Sequence, residues 1–322
     1  MKRVLFAIPT YSYFTQPVTQ ALRQLGFTVE IFDYYKPNLT SRLIGLANNL
    51  KLIPSRHLST LINQNLTKAV DRFKPDYLLV IKGETLTPQT IKAIAGKGTK
   101  TINWYPDWWI AWDWLKSHAP AYQFFLSACL DTNKKLKQIG VNSHYLTFAG
   151  QPKQLQKISK IYPISFIGQY SPVREKYFRP LKNLGLQIWG YQDWQTSSLS
   201  SISHSPVSVA KAHHIISHSH LVVNLLAQVG QLHPHGLNVR TFETTALGTC
   251  LLVKDHPVLK KYFQPGKDVV TFTTPADLYK KARYYLQHNQ EREKIARAGY
   301  RRTKQDHTFT IRLKQMFQII NP

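Results

Sequence analysis

Glu243 is the carboxylate whose surroundings most invite chemistry. It lies in His233–Val253, HPHGLNVRTFETTALGTCLLV, where Gly236 offers a turn and Asn238 is a good helix N-cap. The pattern predicts a helix from Val239 to Leu247, a left-handed stop at Gly248 and a buried strand over Thr249–Val253. Arg240 then precedes Glu243 by one helical turn. Two readings are open. In the first, the two residues form a surface pair worth under about 1 kcal/mol, and such pairs are common. In the second, the helix N-terminus and the Gly236 turn receive a diphosphate, while Glu243 accepts two hydrogen bonds from a sugar diol. The residues alone favour the first.

Two further carboxylates stand at predicted strand ends. Asp107 follows the strand Lys100–Trp104 and sits among Trp104, Tyr105, Trp108, Trp109 and Trp112. Aromatic faces stack on sugars, and partial burial would raise a carboxylate toward the range of a general base. A helix cap for Trp108 onward is the structural alternative. Glu84 ends the strand Asp76–Ile81 within Lys82-Gly83-Glu84, and His118 is a weaker third candidate for acid–base work. The histidines His213, His214, His218, His220, His233 and His235 include one i, i+4 pair, His214 and His218. No cysteine or carboxylate lies among them, so no metal site is expected. One of them, or Lys211, could line a nucleotide pocket instead.

The elements that must position these groups alternate along the chain. Lys2–Ile8, Phe27–Tyr34, Asp76–Ile81, Lys100–Trp104, Tyr122–Ala128 and His144–Phe148 read as strands. Helices are expected after Thr15 and over Arg42–Leu52, Ser59–Phe73, from Pro88 and over Asp131–Ile139. Gly150–Ile161 reads as a linker. Beyond it come strands at Ile164–Ile167, Leu186–Trp189, Leu221–Leu225 and Val269–Phe272. Helices follow at Arg174–Leu184, Val209–Ser217, Ala276–Leu286, Gln290–Arg301 and Phe309–Ile319, with a serine-rich loop over Gln195–Pro206. Such alternation with short loops implies two α/β halves with mostly parallel sheets. The halves are 1–155 and 156–322, with the last helix packing back on the first. No GxGxxG is present, so the dinucleotide fingerprint is missing.

Composition narrows the class of partner. The 322 residues carry 42 Lys and Arg against 17 Asp and Glu, a net charge of +25. The excess is spread evenly: residues 1–160 hold 21 basic and 8 acidic side chains, and residues 161–322 hold 21 and 9. An anionic partner is the expectation: phosphates, nucleic acid or acidic lipid. The basic run Lys280, Lys281, Arg283, Arg292, Lys294, Arg297, Arg301 and Arg302 would be a solvated face, a lipid-docking face or a nucleic-acid face. Cys129 and Cys250 stand far apart in apolar settings, which suits buried thiols in a reducing cytoplasm. The opening MKRVLFAIPTYSYF has too short an apolar run for a signal peptide, and nothing approaches a membrane span. A cytoplasmic chain, peripheral at most to the inner membrane face, is expected.

A series of short signatures in the second half carries a resemblance. They are Ile164-Ser-Phe-Ile-Gly168 with Arg174, Asn238-Val-Arg-Thr-Phe-Glu243, Ala246-Leu-Gly248 and Tyr262-Phe263-Gln-Pro-Gly266-Lys-Asp268. Tyr284-Tyr285-Leu286, Glu291-Arg292-Glu-Lys-Ile295-Ala296-Arg-Ala-Gly299 and His307-Thr308-Phe309 with Arg312 follow. In this order they resemble the spore maturation protein CgeB group of glycosyltransferases, which are similar to GT-B enzymes. The resemblance implies an α/β GT-B fold, two Rossmann-like domains facing across a cleft, with a nucleotide-sugar donor, most simply a UDP-sugar, as substrate and no cofactor or metal.

Carried onto this sequence, Glu243 would hold ribose or sugar hydroxyls. Gly236 and the helix start at Asn238–Arg240 would face the diphosphate. Gly168 would admit the donor closely, and Arg174 would offset the charge of the leaving nucleotide. His235 stands where many retaining GT-B enzymes have Glu, and would donate to phosphate rather than imitate a carboxylate. In an inverting reaction Asp107, or after it Glu84 or His118, would deprotonate the acceptor. The acceptor is unassigned. The alternative is a non-catalytic module of the same fold that binds an anionic polymer, nucleic acid or membrane surface.

Overall fold

The computed structural model describes residues 1–35, 56–107, 111–156, 158–225 and 236–322. The expected helix Arg42–Leu52 lies outside these residues, as do Trp108, Trp109, His233 and His235. The chain divides into two compact units, Met1–Thr147 with Arg312–Pro322, and Phe148–Ile311.

The first unit is built on strands β1 (Arg3–Ala7), β2 (Thr28–Phe32), β3 (Tyr77–Ile81), β4 (Lys100–Tyr105), β5 (Phe124–Ser127) and β6 (Ser143–Tyr145). All pair in parallel in the order β2-β1-β3-β4-β5-β6. Strands covered on both faces must be apolar throughout, which accounts for the unbroken runs Val4–Ile8 and Tyr77–Ile81, all buried. Helices α1 (Thr15–Gln24), α2 (Arg56–Phe73), α3 (Pro88–Gly96), α4 (Trp112–His118) and α5 (Leu130–Gln138) make the crossovers. Thr87 caps α3 by accepting from the Thr90 amide, with Pro88 at the first helical position.

The second unit repeats the scheme with β7 (Tyr162–Ile167), β8 (Leu186–Trp189), β9 (Ser203–His204), β10 (Ser219–Asn224), β11 (Cys250–Lys254) and β12 (Val270–Phe272). Their order is β12-β11-β10-β7-β8-β9, again parallel throughout. The serine-rich loop thus holds a two-residue edge strand, β9, because Ser203 pairs with Ile188. Helices are α6 (Pro172–Phe178), α7 (Val209–Ser217), α8 (Val239–Ala246), α9 (Pro275–Gln287), α10 (Asn289–Asp306) and α11 (Phe309–Ile320). From Arg312 onward α11 is part of the first unit. There Phe317 stacks on Phe27 at 4.4 Å and meets Tyr77 edge-on at 5.2 Å. Asn321 accepts from Lys100 Nζ at 2.9 Å.

Each sheet reverses its direction of growth once. In the first unit the chain lays β2 on one side of β1 and β3 on the other. In the second it lays β8 and β9 beside β7, then returns to place β10 on the far side of β7. At such a reversal the loops leaving two neighbouring strands part in opposite directions and leave a crevice at their carboxyl ends. The two crevices fall beside Ala7 and Ile81 in the first unit, and beside Ile167 and Asn224 in the second.

Candidate active site

The second crevice collects most of the residues predicted for donor binding. Asn238 caps α8 by accepting from the Thr241 amide. The same side chain is locked to the end of β10: Asn224 Nδ2 donates to Asn238 Oδ1 at 2.8 Å, and Asn238 Nδ2 donates back to Asn224 Oδ1 at 3.0 Å. Asn224 Nδ2 also reaches Thr241 Oγ1 at 3.0 Å. A reciprocal amide pair of this kind fixes both position and roll of the helix start, so the free amides of the first turn keep one direction.

Glu243, one turn further along, is 4% exposed. Its two oxygens face opposite partners, His213 Nε2 at 2.9 Å from Oε1, and Arg240 Nη1 on Oε2. This is no surface pair. A carboxylate so deeply buried must be compensated, and here one cation and one imidazole do so while leaving lone pairs open for further donors. Sequence reasoning did not choose His213 from its run of histidines and did not consider Asn224. A polar residue closing the apolar strand SHLVVN was the available signal for Asn224.

Arg174 is buried on α6, and Ser171 caps that helix. Its Nε and Nη2 both donate to the Leu225 carbonyl, at 3.0 and 2.8 Å, and Nη1 donates to the Gln169 carbonyl at 2.6 Å. Its guanidinium lies 5.2 Å over the Phe166 ring. Burial lowers its pKa to about 10, so it keeps its charge at neutral pH. No carboxylate among the described residues pairs with it. The side chain expected to touch phosphate therefore also braces the exit of β10. Arg174→Met should leave the Leu225 carbonyl without its two donors and cost about 2–3 kcal/mol of stability, read by denaturant unfolding. An unchanged midpoint would remove the bracing role.

Gly168 ends β7 in a tight place. A Cβ there would meet the Phe166 ring at 2.9 Å, and one on Gly190 would meet the Gly168 oxygen at 2.3 Å. That oxygen accepts from Trp194 Nε1 at 2.9 Å, so internal packing already demands the glycine. Gly236 is buried just ahead of the Asn238 cap.

In the first unit the structure brings Glu84 and Asp107 together. Lys82 Nζ lies 3.2 Å from a carboxylate oxygen of each. Partial burial opposes the Lys82 charge, and the Asp107 and Glu84 carboxylates outweigh it, raising its pKa. Lys82 has φ of 68° and Gly83 φ of 76°. A lysine held in the left-handed region is uncommon, and such strain gathers where a loop must present a group. The turn is pinned from beneath: Tyr34 OH donates to the Ile81 carbonyl at 2.7 Å, and Asn103 Nδ2 donates to the Lys82 carbonyl at 3.0 Å. Burial drives the Tyr34 pKa upward, keeping it a neutral donor.

Asp107 is partly buried, its side chain 45% exposed. His118 is engaged on its own helix, with Nδ1 at 3.0 Å from the Trp114 carbonyl and its ring stacked on Trp114 at 4.6 Å. Burial lowers its pKa. No group of three potential metal ligands occurs among the described residues, and no described helix is long and apolar enough to cross a membrane.

Two parallel α/β units, each with its crevice, define the GT-B class of fold. The solved structure of Anabaena Alr3699/HepE in complex with UDP-glucose superposes with a TM-score of 0.67 at 10% identity, covering 99% of either chain. Sucrose-phosphate synthase from Thermosynechococcus elongatus gives 0.61 at 8% identity, with 99% of each chain covered. UDP-GlcNAc 2-epimerase from Neisseria meningitidis, bound to UDP-GlcNAc, gives 0.54 at 13% identity over 99% of both. No curated protein matches the sequence. Residues 174–318 match a family described as glycosyl transferase-like.

Proposed function

We propose that the protein transfers a hexosyl group from a nucleotide-diphosphate sugar, a UDP-sugar in the simplest reading, to an acceptor hydroxyl. The observation that carries this is the second crevice, where a clamped helix N-terminus, the uncompensated Arg174 cation and the buried Glu243 carboxylate converge. The helix start would receive the diphosphate, and Arg174 would favour its developing charge. The lone pairs of Glu243 left open by His213 and Arg240 would accept from the ribose or sugar hydroxyls. The family match spans all of these residues, and the neighbours crystallised with UDP and its sugars support the choice of donor. Within the class, the ordered signatures from Ile164 to Arg312 support a place in the CgeB-like group.

On the acceptor side we assign Asp107 as general base, with Glu84 as the second candidate and His118 set aside for the contacts just described. In a direct displacement the acceptor proton passes to an Asp107 oxygen and the acceptor oxygen bonds to the anomeric carbon. The bond from that carbon to the phosphate oxygen breaks, and the nucleoside diphosphate departs with the electron pair. Lys82, 3.2 Å away, holds the Asp107 carboxylate in place. Positive groups of the protein take the part a metal plays elsewhere, so activity should persist in a chelator.

The test is thermal unfolding with UDP, GDP, ADP, CMP and dTDP and with their sugar conjugates. A ligand at about a hundred times its dissociation constant adds about 2.7 kcal/mol, a shift of several degrees. A shift confined to the uridine series supports the reading. Binding without transfer but with interconversion of sugar epimers would replace it with the chemistry of the epimerase neighbour. No response to any nucleotide, with a response to DNA or anionic lipid, would replace it with a binding module.

A further inference from the structure

The amino edge of the second sheet, opposite the donor crevice, has features the transfer reaction does not use. Helix α10 starts there, since Arg292 Nη2 lies 2.9 Å from His220 Nδ1 near the beginning of β10. The segment before β7 runs along the same edge. Tyr300 OH donates to the Lys153 carbonyl at 2.9 Å, Lys160 Nζ donates to the Ser217 carbonyl at 2.8 Å, and the Ile161 amide donates to the His218 carbonyl at 2.7 Å. Of the six basic residues on this helix, Arg292 is buried and Arg302 is paired with Asp306, so both serve the fold, and Lys304 is exposed near its end, outside the groove described next.

Lys294, Arg297 and Arg301 are different. All three are exposed, and none is held by an ion pair or hydrogen bond to another described residue. Their spacing of three and four places them on one stripe of α10. With Asn289, Gln290 and Glu293 they line an open groove of about 410 Å³. The neighbouring segment adds two exposed apolar side chains, Leu155 at 43% and Ile161 at 60%. Leu155 lies over Gly248, where β11 begins.

We propose that this edge docks the protein on an anionic phospholipid surface. The three cations of the groove meet the phosphate headgroups, and Ile161 with Leu155 enters the boundary between headgroups and acyl chains. Unpaired cations alone would suit nucleic acid equally well. Exposed aliphatic side chains on the same edge favour a lipid boundary, because a duplex offers them nothing to enter. Docking at the amino edge leaves the carboxyl edge, with Asn238 and Glu243, open to a nucleotide sugar.

The experiment is co-sedimentation of the full chain with vesicles of phosphatidylcholine alone and of phosphatidylcholine mixed with phosphatidylglycerol. Wild type should sediment with the mixed vesicles only. A variant combining Lys294→Gln, Arg297→Gln and Arg301→Gln should lose more than tenfold in affinity, each cation near an anionic surface being worth about a factor of five. Ile161→Ser should weaken binding further as salt is raised and the charge contribution is screened. The thermal midpoint of each variant controls for folding. Equal binding of the triple variant, or equal sedimentation with the neutral vesicles, would overturn the proposal. Tighter retention of duplex DNA than of mixed vesicles, abolished by the same three substitutions, would overturn it in favour of nucleic acid.

Discussion

Glu243→Ala should lower the affinity for a UDP-sugar by about a hundredfold or more and also destabilise the second unit. The two losses have separate origins. A hydrogen bond to a charged group contributes about 1.5–3 kcal/mol, so losing two from a ligand diol removes at least about 3 kcal/mol of binding. In the free protein the substitution leaves Arg240, with 19% of its side chain exposed, beside His213 with no counter-charge. Removing one member of a buried ion pair costs roughly 3–5 kcal/mol. Titration calorimetry well below the unfolding temperature reads the first loss, and thermal unfolding without ligand reads the second. Glu243→Gln is the informative companion. It keeps the shape but turns one acceptor oxygen into an NH2 that must face His213 or Arg240. A destabilised Glu243→Ala protein that still binds UDP-sugar at wild-type affinity would reduce Glu243 to a structural role.

Asp107→Asn should reduce turnover by about 10²–10⁴, the usual contribution of a positioned general base, while the donor dissociation constant stays put. The fold should tolerate the change. Asp107 is half exposed, and Lys82 retains Glu84 as a partner, so the stability cost should stay under about 1 kcal/mol. Glu84→Gln provides the contrast. It removes the other carboxylate at 3.2 Å from Lys82, yet should leave turnover within several-fold of wild type. Single-turnover measurements at saturating donor separate the two variants. If Glu84→Gln proves as damaging as Asp107→Asn, the carboxylates work only by holding Lys82, and the base lies elsewhere.

Local chemistry made α8 and its exits readable from the sequence. Asn238 caps the helix, Gly248 takes φ of 68°, and β11 follows at once. Each of these depends on residues within a few positions of one another. The alternation of apolar runs and amphipathic segments disclosed the parallel sheets in the same way. What stayed hidden depends on distance along the chain. Glu243 and His213 are thirty positions apart, and nothing in a histidine-rich helix marks one imidazole as the carboxylate's partner. Arg174 was legible as a charge but not as a brace, because its acceptors are backbone carbonyls, which no side-chain pattern reveals. Asp107 shows the same limit: its aromatic neighbours in sequence suggested the partial burial it has, but not Lys82, twenty-five positions earlier, which holds it.

The passage of α11 from one unit into the other bears on how the protein is made. The first unit includes Arg312–Pro322, and Phe317 covers Phe27 and Tyr77 there. A ribosome therefore completes all of the second unit before it supplies the last piece of the first. Until then the site for Phe317 on the first unit stays uncovered. A nascent polypeptide cut before residue 312 lacks the cover that Phe317 gives Phe27 and Tyr77.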